Sequence, residues 1–548
     1  MVRPPGPAVA RNPREREPPM PRVLVSDTLS EQGLAILKRS PGLEVDYRPG
    51  LSEPDLAAAI PGAAALLIRS GSKVTARVID AATSLKVIGR AGIGVDNVDV
   101  PAATRRGIVV MNTPTGNAVT TAEHAIALLF ALARHVAQAA SSMRAGKWEK
   151  KKFEGVEISG KTLGVIGLGN IGRIVADRAK GLHMNVLGFD PVLSVERAAE
   201  LGITLVSLDT LWEKADAITV HTPLTKHTRG LVNDEVVAKL KKGVLLVNAA
   251  RGGIYDEAAL LRGLESGTIG GVALDVFPEE PPKPSPLYVH ERCILTPHLG
   301  ASTREAQDRV ALEIAEQIVD FLATGATRNA VNAPSVSGEM ASKLLPYTDL
   351  AERLGSFLAQ VEHLSPASIE VECVGEPGDL NLSAISAAAV TGYLSKMDIE
   401  DQVNRVSAPG VARDRGIAIV EKRSKLPEGK HTSVVVLRVI DKDGTMRDVE
   451  GTLSGDESSR LVRWGAYDID ARLGGTTLVV THLDRPGVIG YVGTTLGKAS
   501  VNVARVNVGL AGNGTVVSVW NLDQEVPHDV LSAMRRSDHI SAAVTLTV

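Results

Sequence analysis

The amino-acid sequence predicts a multidomain α/β protein, and three observations support this fold class. Short β-branched runs such as RVLVSD, ALLIRS and KVIGRAG alternate with helical stretches from Val23 onward, which is typical of buried parallel strands. A glycine-rich motif lies between a strand-like run and a helical run at 162–180. The C-terminal segment 475–548 follows the order β-α-β-β-α-β. With 548 residues, the chain is long enough for about three or four domains.

The composition excludes several classes of protein. A formal net charge of -3 gives no general electrostatic reason to bind nucleic acid or an anionic membrane. The only two cysteines, Cys293 and Cys373, are far apart, so we expect neither a disulfide framework nor a cysteine metal site, and a reducing, cytoplasmic location. The most apolar stretch, 125–133, is too short to span a bilayer and is predicted to be a buried helix.

The first half of the chain divides into three segments. Residues 1–21 are rich in Pro and Arg and lack an apolar signal region, which predicts a disordered tail. Translation starts at Met1 or at Met20, and a strand-like run follows directly after Met20. Residues 22–113 read as one α/β unit. A long helix at about 118–140 leads into a second unit that ends near residue 298.

The second half adds further units. An amphipathic helix within 299–330 is expected to return to the first unit, which would make the second unit an insertion. Residues 331–470 mix helical runs with strands such as TSVVVLRVID, which predicts a third α/β domain. Residues 475–548 form the separate β-α-β-β-α-β unit.

The glycine-rich motif is Gly167-x-Gly169-x-x-Gly172, between the runs TLGVIG and NIGRIVADRA. Such glycines permit a tight turn and a close approach to a pyrophosphate, which free N–H groups at the helix N-terminus can bind. Asp190 follows Gly172 by 18 residues, at the end of the next strand-like run. Its carboxylate would bind ribose hydroxyls and repel a 2′-phosphate, which favours NAD over NADP. The alternative is that the glycines only pack a strand against a helix.

Four further side chains follow strand-like runs in the second unit. Arg251 follows GVLLVNAA, Asp275 lies in GGVALDVF, Glu280 lies in the loop PEEPP, and His298 follows CILT. Because ligands of an open α/β sheet bind beyond the carboxyl ends of its strands, we expect these side chains to line one cleft. Each of them alone is more commonly a surface or structural residue, so the prediction depends on the set.

The oxidation of a secondary alcohol explains this set. The reaction needs a base for the hydroxyl proton, and histidine side chains suit that role because they titrate near neutral pH. A carboxylate at the other ring nitrogen fixes the tautomer and stabilises the imidazolium, and an arginine binds a substrate carboxylate bidentately. The sequence therefore predicts a dehydrogenase that acts on a 2-hydroxy acid.

The motifs GVIGLGNIGR, VNAARGGIYDEAAL, GVALDVFPEEPP and TPHLGAST resemble those of the D-2-hydroxyacid dehydrogenase family, over about residues 22–330. The resemblance implies two Rossmann-like domains, in which an NAD-binding domain at 114–298 is inserted into a substrate domain formed by 22–113 and 299–330. A dimer through the cofactor domains, or a tetramer, is expected.

The same resemblance implies roles for individual residues. It makes His298 the acid/base, Glu280 its partner and Arg251 the anchor of the substrate carboxylate. It also implies a set of NAD-binding residues, which are Gly167, Gly169, Asn170, Ile171, Gly172, Asp190, Thr222, Ala249, Arg251, Asp275, His298 and Gly300.

The whole chain resembles the long-form branch of that family, which oxidises 3-phospho-D-glycerate with NAD⁺ at the entry to L-serine biosynthesis. LIRSGSKVT and VIGRAGIGVDNVD place Arg69 and Arg90 after two strands, where they could hold a phosphate; surface charge or helix capping is the alternative. The resemblance also directs Asn112 towards the substrate, and Lys150 in the basic loop GKWEKKKFEG towards a neighbouring subunit's active site.

The C-terminal half resembles regulatory domains of that branch. Residues 331–470 resemble an intervening domain linked to allosteric control, and residues 475–548 resemble an amino-acid-binding ACT domain. In VTHLDRPGVIGYVG, helix N–H groups and a carboxylate would face the carboxylate and ammonium of an amino acid. The resemblance implies an L-serine site at His482, Asp484 and Asn502. A structural module that binds no ligand is the alternative, because a capping Asp is common on its own.

Two other functions stay open at this point. One is a hydroxypyruvate or glyoxylate reductase with an unrelated tail, and the other is a non-catalytic, NAD-sensing protein similar to corepressors of the same fold. Residues 331–548 argue against both, because the short enzymes of the family lack such domains. Oxidation of 3-phosphoglycerate, but not of glycerate or lactate, would distinguish the main interpretation from both.

Overall fold

The computed structural model describes residues 20–362, 364–397, 403–425, 431–511 and 514–548. These residues form three β-sheets with helices packed against them. The tail predicted at 1–21 lies outside the described residues except for its last two positions.

The first sheet has five parallel strands in the order β2-β1-β3-β4-β5. Most of its strand residues are buried between two layers of helices, as the β-branched runs predicted. Its elements are β1 Arg22–Val25, α1 Glu31–Arg39, β2 Glu44–Tyr47, α2 Glu53–Ala59, β3 Ala63–Ile68, α3 Ala76–Ala81, β4 Val87–Arg90, α4 Val100–Arg105 and β5 Val109–Met111.

Two helices lead from the first sheet to the second, α5 at Ala118–Ala133 and α6 at Val136–Arg144. The single long helix predicted at about 118–140 is therefore wrong. The two helices meet at an angle of 65°, because His135 between them has a left-handed backbone with φ 51° and helical hydrogen bonding cannot continue through it. Among the described residues, no single helix is long and apolar enough to cross a membrane. The bent pair of α5 and α6 reaches the length and composition of a membrane span only when the two helices are taken together.

The second sheet has seven parallel strands in the order β12-β11-β10-β9-β6-β7-β8, which is the doubly wound, Rossmann-like arrangement. The chain reverses its direction of travel between β6 and β9, so a crevice opens beyond the carboxyl ends of these two strands. The elements are β6 Thr162–Ile166, α7 Asn170–Gly181, β7 Asn185–Phe189, α8 Val195–Glu200, β8 Thr204–Leu205, α9 Leu208–Lys214, β9 Ala217–Val220, α10 Asp234–Val237, β10 Val244–Asn248, α11 Glu257–Ser266, β11 Ile269–Leu274 and β12 Cys293–Leu295.

A third sheet of ten strands spans the remainder of the chain, in the order β14-β13-β15-β16-β17-β18-β20-β21-β19-β22. The two C-terminal units expected from the sequence thus share one sheet, joined by the pair Asp468 and Leu510 of β18 and β20. The elements are α13 Gly338–Val361, β13 Pro366–Val374, α14 Glu376–Asp379, α15 Leu382–Leu394, α16 Ala408–Asp414, β14 Ala418–Ser424, β15 Val434–Asp441, β16 Met446–Leu453, β17 Ser459–Trp464, β18 Tyr467–Arg472, β19 Thr476–Leu483, α17 Val488–Lys498, β20 Val503–Leu510, β21 Thr515–Leu522, α18 His528–Arg535 and β22 Ile540–Thr547.

Helix α12, at Arg304–Thr324, follows the second sheet but packs on the first. Its buried face includes Ile314 and Ile318, which lie over Gly89 in β4. A Cβ atom at Gly89 would come within 2.9 Å of Ile314 Cγ1, so the helix approaches the strand as closely as a glycine permits. This return completes the core of the first sheet.

We predict that Ile314→Ala destabilises the first sheet by about 2–5 kcal/mol, because Ile314 is 0% exposed and truncation leaves a cavity. Hydrogen exchange of the β1 and β4 amides measures this local free energy of opening. Val192→Ala is the control, since Val192 is 89% exposed and a surface change costs no more than about 0.5 kcal/mol. Equal protection of these amides in both variants would contradict the packing of α12 described above.

Candidate active site

The predicted site residues lie at the carboxyl ends of strands from two sheets. Arg69 follows β3 and Arg90 ends β4 in the first sheet, whereas Arg251 follows β10 in the second. Arg251 Nε donates a hydrogen bond of 2.6 Å to Asp96 Oδ2, in the loop after β4. The contact brings the carboxyl edges of the two sheets together around one cleft.

His298 and Glu280 form a hydrogen-bonded pair in this cleft. The His298 Nδ1 atom lies 2.7 Å from Glu280 Oε2, so Nδ1 donates and Nε2 is left for another partner. Partial burial alone would raise the pKa of Glu280, but the hydrogen bonds from His298 and from the Phe277 N–H lower it below its usual value. An ionised carboxylate behind the imidazole stabilises its protonated form, which a proton acceptor requires.

The loop that carries His298 is organised around Asp275, whose side chain is fully buried. Its carboxylate accepts hydrogen bonds from the backbone N–H groups of Leu299 at 2.7 Å and Gly300 at 2.8 Å, and from Thr296 Oγ1 at 2.6 Å. His124 Nε2 of α5 lies 3.1 Å from the same carboxylate. Although burial raises the pKa of Asp275, hydrogen bonds from His124 and Thr296 lower it overall.

The glycine-rich loop lies at the crevice between β6 and β9. Gly167 has φ 88°, and a Cβ atom there would lie 2.6 Å from the His221 carbonyl oxygen. A Cβ atom on Gly172 would lie 1.9 Å from the Gly167 oxygen, whereas one on Gly169 would meet nothing within 4 Å. The loop is therefore closed on its inner side and open at Gly169, beside the N-terminus of the 12-residue helix α7.

Asp190 follows β7 and faces this loop. Its Oδ2 accepts a hydrogen bond of 2.8 Å from the Leu168 N–H, and its Oδ1 accepts from the Val192 and Leu193 N–H groups. Burial raises the pKa of Asp190, but these backbone donors lower it below its usual value. The carboxylate thus stays charged beside the glycines, as a dinucleotide ribose site requires.

The other predicted cofactor residues surround the same crevice. Thr222 follows β9, and its buried Oγ1 makes no hydrogen bond within the described part of the chain, so a bound ligand could supply the partner. Asn170 begins α7 and donates to the Pro114 carbonyl at 3.1 Å. Ile171 is the next residue of α7, and Ala249 is buried directly after β10. The open glycine, the charged Asp190 and the unpaired hydroxyl together fit a dinucleotide.

Three arginines create a positive region that joins the two sides of the cleft, because Arg69 and Arg90 belong to the first sheet and Arg251 to the second. Burial, and then the neighbouring Arg251, lower the pKa of Arg90 to about 10, and Arg69 contributes in the same direction. Among the described residues, the buried Nε of Arg90 makes no hydrogen bond. Arg69 Nη1 donates to the Thr28 carbonyl at 3.0 Å. Partly buried guanidinium groups that repel one another favour an anionic ligand.

Two predicted substrate residues differ in their placement. Asn112 follows β5 and donates to the Ile93 carbonyl at 2.5 Å, so it braces the loop of the cleft. Lys150 begins a 3-10 helix at Lys150–Phe153 and is exposed. Within the described residues, it makes no hydrogen bond or ion pair with the other predicted site residues. The structure therefore shows no polar contact between Lys150 and the other predicted site residues within this single chain.

The segment predicted to bind serine lies in the third sheet. His482 is buried within β19, which runs one residue further to Leu483, and its Nε2 has no hydrogen-bond partner among the described residues. Asp484 is exposed in the loop before α17. Asn502 precedes β20 and donates to Asp523. This contact of Asn502 was not predicted from the sequence.

Two residues of the main site were not predicted. Asp96 lies inside the motif GVDNVD, and His124 precedes the apolar run of α5. Their partners, Arg251 and Asp275, are about 150 residues away in sequence, so no local pattern connects them. Charge was the one available signal, and it points to Asp96: three arginines that are predicted to share one cleft need carboxylates nearby.

Comparisons with known proteins find relatives for two segments of the chain and for nearly its whole length. A family model described as the D-isomer specific 2-hydroxyacid dehydrogenase NAD binding domain matches residues 126–300. A second, described as the D-3-phosphoglycerate dehydrogenase intervening domain, matches residues 343–464. The chain is 42% identical over 523 residues to the D-3-phosphoglycerate dehydrogenase of Archaeoglobus fulgidus, covering 95% of this chain and 98% of that protein. It is 41% identical over 493 residues to that of Bacillus subtilis, covering 90% and 93%.

Solved structures resemble a shorter part of the chain. A glyoxylate reductase from Paecilomyes thermophila has a TM-score of 0.53 at 30% identity, covering 57% of this chain and 98% of that one. A D-lactate dehydrogenase from Aquifex aeolicus, complexed with NAD and lactic acid, has a TM-score of 0.52 at 26% identity, covering 57% and 100%. Since the relatives that match nearly the whole length are D-3-phosphoglycerate dehydrogenases, the chain belongs to that family within the D-isomer-specific 2-hydroxyacid dehydrogenases.

Proposed function

We propose that the protein oxidises 3-phospho-D-glycerate to 3-phosphohydroxypyruvate with NAD⁺, as the entry step to L-serine synthesis. The observation that carries this proposal is the His298–Glu280 pair together with a cluster of three arginines that links the two sheets through Arg251 and Asp96. The whole-length relatives support the choice of substrate. A short reductase or a corepressor-like sensor does not account for residues 343–464, which match the intervening domain.

His298 is proposed to accept the proton of the substrate hydroxyl through Nε2. Its Nδ1 is held by Glu280, whose negative charge stabilises the imidazolium that forms. The backbone N–H of His298 donates to the Asp275 carbonyl at 2.9 Å, which fixes the position of the ring. The N–H groups at the start of α7 would hold the pyrophosphate of NAD⁺, which would supply the acceptor for the hydride of C2.

The arginines are proposed to divide the two anionic ends of the substrate between them. Arg251 follows β10 of the sheet that carries the cofactor loop, so it would bind the carboxylate next to the reacting carbon. Arg69 and Arg90 come from the first sheet and would bind the phosphate at the far end. Asn112 would hold the loop between them through the Ile93 carbonyl.

The native assembly is proposed to be at least a dimer through the cofactor domains, in which Lys150 would reach a neighbouring cleft. Large apolar side chains are exposed along α5, α6 and the following loop, namely Phe130, Val136, Met143 and Trp148. Trp148 is 80% exposed, which is unusual for an aromatic side chain unless it is covered by a partner. The two unpaired cysteines support a reducing compartment such as the cytoplasm.

The C-terminal unit is proposed to be an ACT domain that binds L-serine as a feedback inhibitor. Its strands have the order β20-β21-β19-β22, and two helices cross between them. The buried, unpaired Nε2 of His482 adjoins the loop of Asp484, where the N-terminus of α17 begins after Gly487. A hydroxyl, a carboxylate and an ammonium would each find a matching group there.

We predict that His298→Ala lowers kcat by about 10²–10⁴-fold, because it removes the general base. The affinity for NADH, measured by fluorescence titration, should stay within about threefold of wild type, since the glycine-rich loop is untouched. The control is His183→Ala. His183 directly precedes β7 and so lies at the amino end of the cofactor sheet, opposite the carboxyl end that carries the site. Near-normal turnover in His298→Ala would remove His298 from the proposed role.

We predict that Arg90→Ala raises KM for 3-phosphoglycerate about 10–100-fold or more, because charge-assisted hydrogen bonds to the phosphate are lost. The kcat/KM for glycerate, which lacks the phosphate, should change much less. The control is Arg106→Ala, because Arg106 caps the C-terminus of α4, a helix that packs on the same sheet, and does not lie at the carboxyl end of a strand. Equal losses on both substrates would mean that Arg90 organises the fold rather than binding the phosphate.

We predict that millimolar L-serine inhibits the wild-type enzyme, and that Asp484→Ala relieves this inhibition and keeps basal activity, because the carboxylate would hold the ammonium of serine. Asp529→Ala is the matched control, because Asp529 is also an acidic residue near the start of a helix. Its helix, α18, follows a strand antiparallel to β19 and so begins at the other end of the sheet from Asp484. Calorimetry that detects no binding of serine to the wild-type protein, with activity unaffected, would leave this unit with a role in assembly only.

A further inference from the structure

The guanidinium group of Arg251 is held by both sides of the cleft. Its Nε donates to Asp96 of the first sheet at 2.6 Å, and its Nη1 donates to the Ala250 carbonyl at 2.6 Å. Within the described residues, Nη2 makes no hydrogen bond. Two of the three nitrogens are therefore fixed by hydrogen bonds, and Nη2, which lies against Gly94, is left without a hydrogen-bond partner among these residues.

A glycine makes this arrangement possible. A Cβ atom at Gly94 would lie 1.6 Å from Arg251 Nη2 and 3.0 Å from Asp96 Oδ2. Any other residue would therefore push the guanidinium away from its present position. The loop of the first sheet leaves space for an arginine of the second sheet and, two residues later, supplies the carboxylate that orients it.

Asp96 has no structural need that explains its position. Its side chain is 72% exposed, and an ion pair at such a site contributes little to the stability of the fold. The other carboxylate near the arginines, Asp27, is already committed, because it accepts from the Arg69 and Ser72 N–H groups. Asp96 thus acts on the orientation of Arg251 and on the balance of charge in the cleft.

We propose that Asp96 is a positioning residue for substrate binding: it holds Arg251 Nε across the cleft so that Nη2 meets the substrate carboxylate. This inference rests on the proposed function, and it adds a residue of the first sheet to the proposed substrate site. The pair also makes the carboxylate site depend on the approach of the two sheets, because Asp96 and Arg251 come from different ones.

The test compares Asp96→Ala and Asp96→Asn in steady-state assays with 3-phosphoglycerate and NAD⁺. Asp96→Ala should raise KM for 3-phosphoglycerate about 10–100-fold, since a small misplacement of a substrate-binding group has effects of that order. Asp96→Asn keeps an acceptor oxygen and should restore part of the loss. NADH affinity and thermal unfolding should match wild type in both variants.

Asp234→Ala is the matched control, because it removes another exposed ion pair of 2.6 Å, with Arg262 on the same cofactor domain as Arg251. It should leave KM unchanged. An active wild type whose KM is unaffected by Asp96→Ala would overturn the inference and leave the proposed function intact. A wild type that oxidises no 2-hydroxy acid would overturn the proposed function, and the inference with it.

Discussion

The cleft depends on one buried carboxylate, that of Asp275. An isolated charge in this position would be costly, so its environment must supply hydrogen-bond donors. Four donors do so, two from the backbone of the following loop and two from the side chains of His124 and Thr296. The loop is thereby wrapped around the carboxylate, which lets His298 keep a left-handed backbone, φ 53°, that other residues than glycine rarely adopt.

The three arginines impose a second constraint, which acts through charge. Cations that are close together and partly buried disfavour one another: the pKa of Arg90 is lowered first by burial and then by the neighbouring Arg251. The protein offsets it with Asp27 and Asp96, on the first sheet. An anion that carries charge at both ends would relieve the repulsion further, which agrees with the phosphorylated acid proposed as the substrate.

Local signals account for what could be predicted from the sequence. Strand, glycine motif and helix are contiguous, so the crevice at Gly167 and Asp190 follows from spacing alone, and His298 and Glu280 lie in recognisable motifs. The contacts of Asp96 and His124 join distant segments, and no local pattern marks them. The break between α5 and α6 at His135 was not predicted, because no glycine or proline marks it in the sequence. The union of the last two units in one sheet depends on a single strand pair.

The return of α12 to the first sheet has a consequence for how the chain is made. Strands β1–β5 leave the ribosome early, but the helix that covers their second face is synthesised only after the entire cofactor sheet. Until then, apolar residues such as Val23 and Val87 lack part of their native cover, although α1 packs on the same face. The cofactor sheet, whose strands are contiguous in sequence, can be completed first. Nascent chains that stop before residue 304 would therefore expose this apolar surface, which favours aggregation and binding by chaperones.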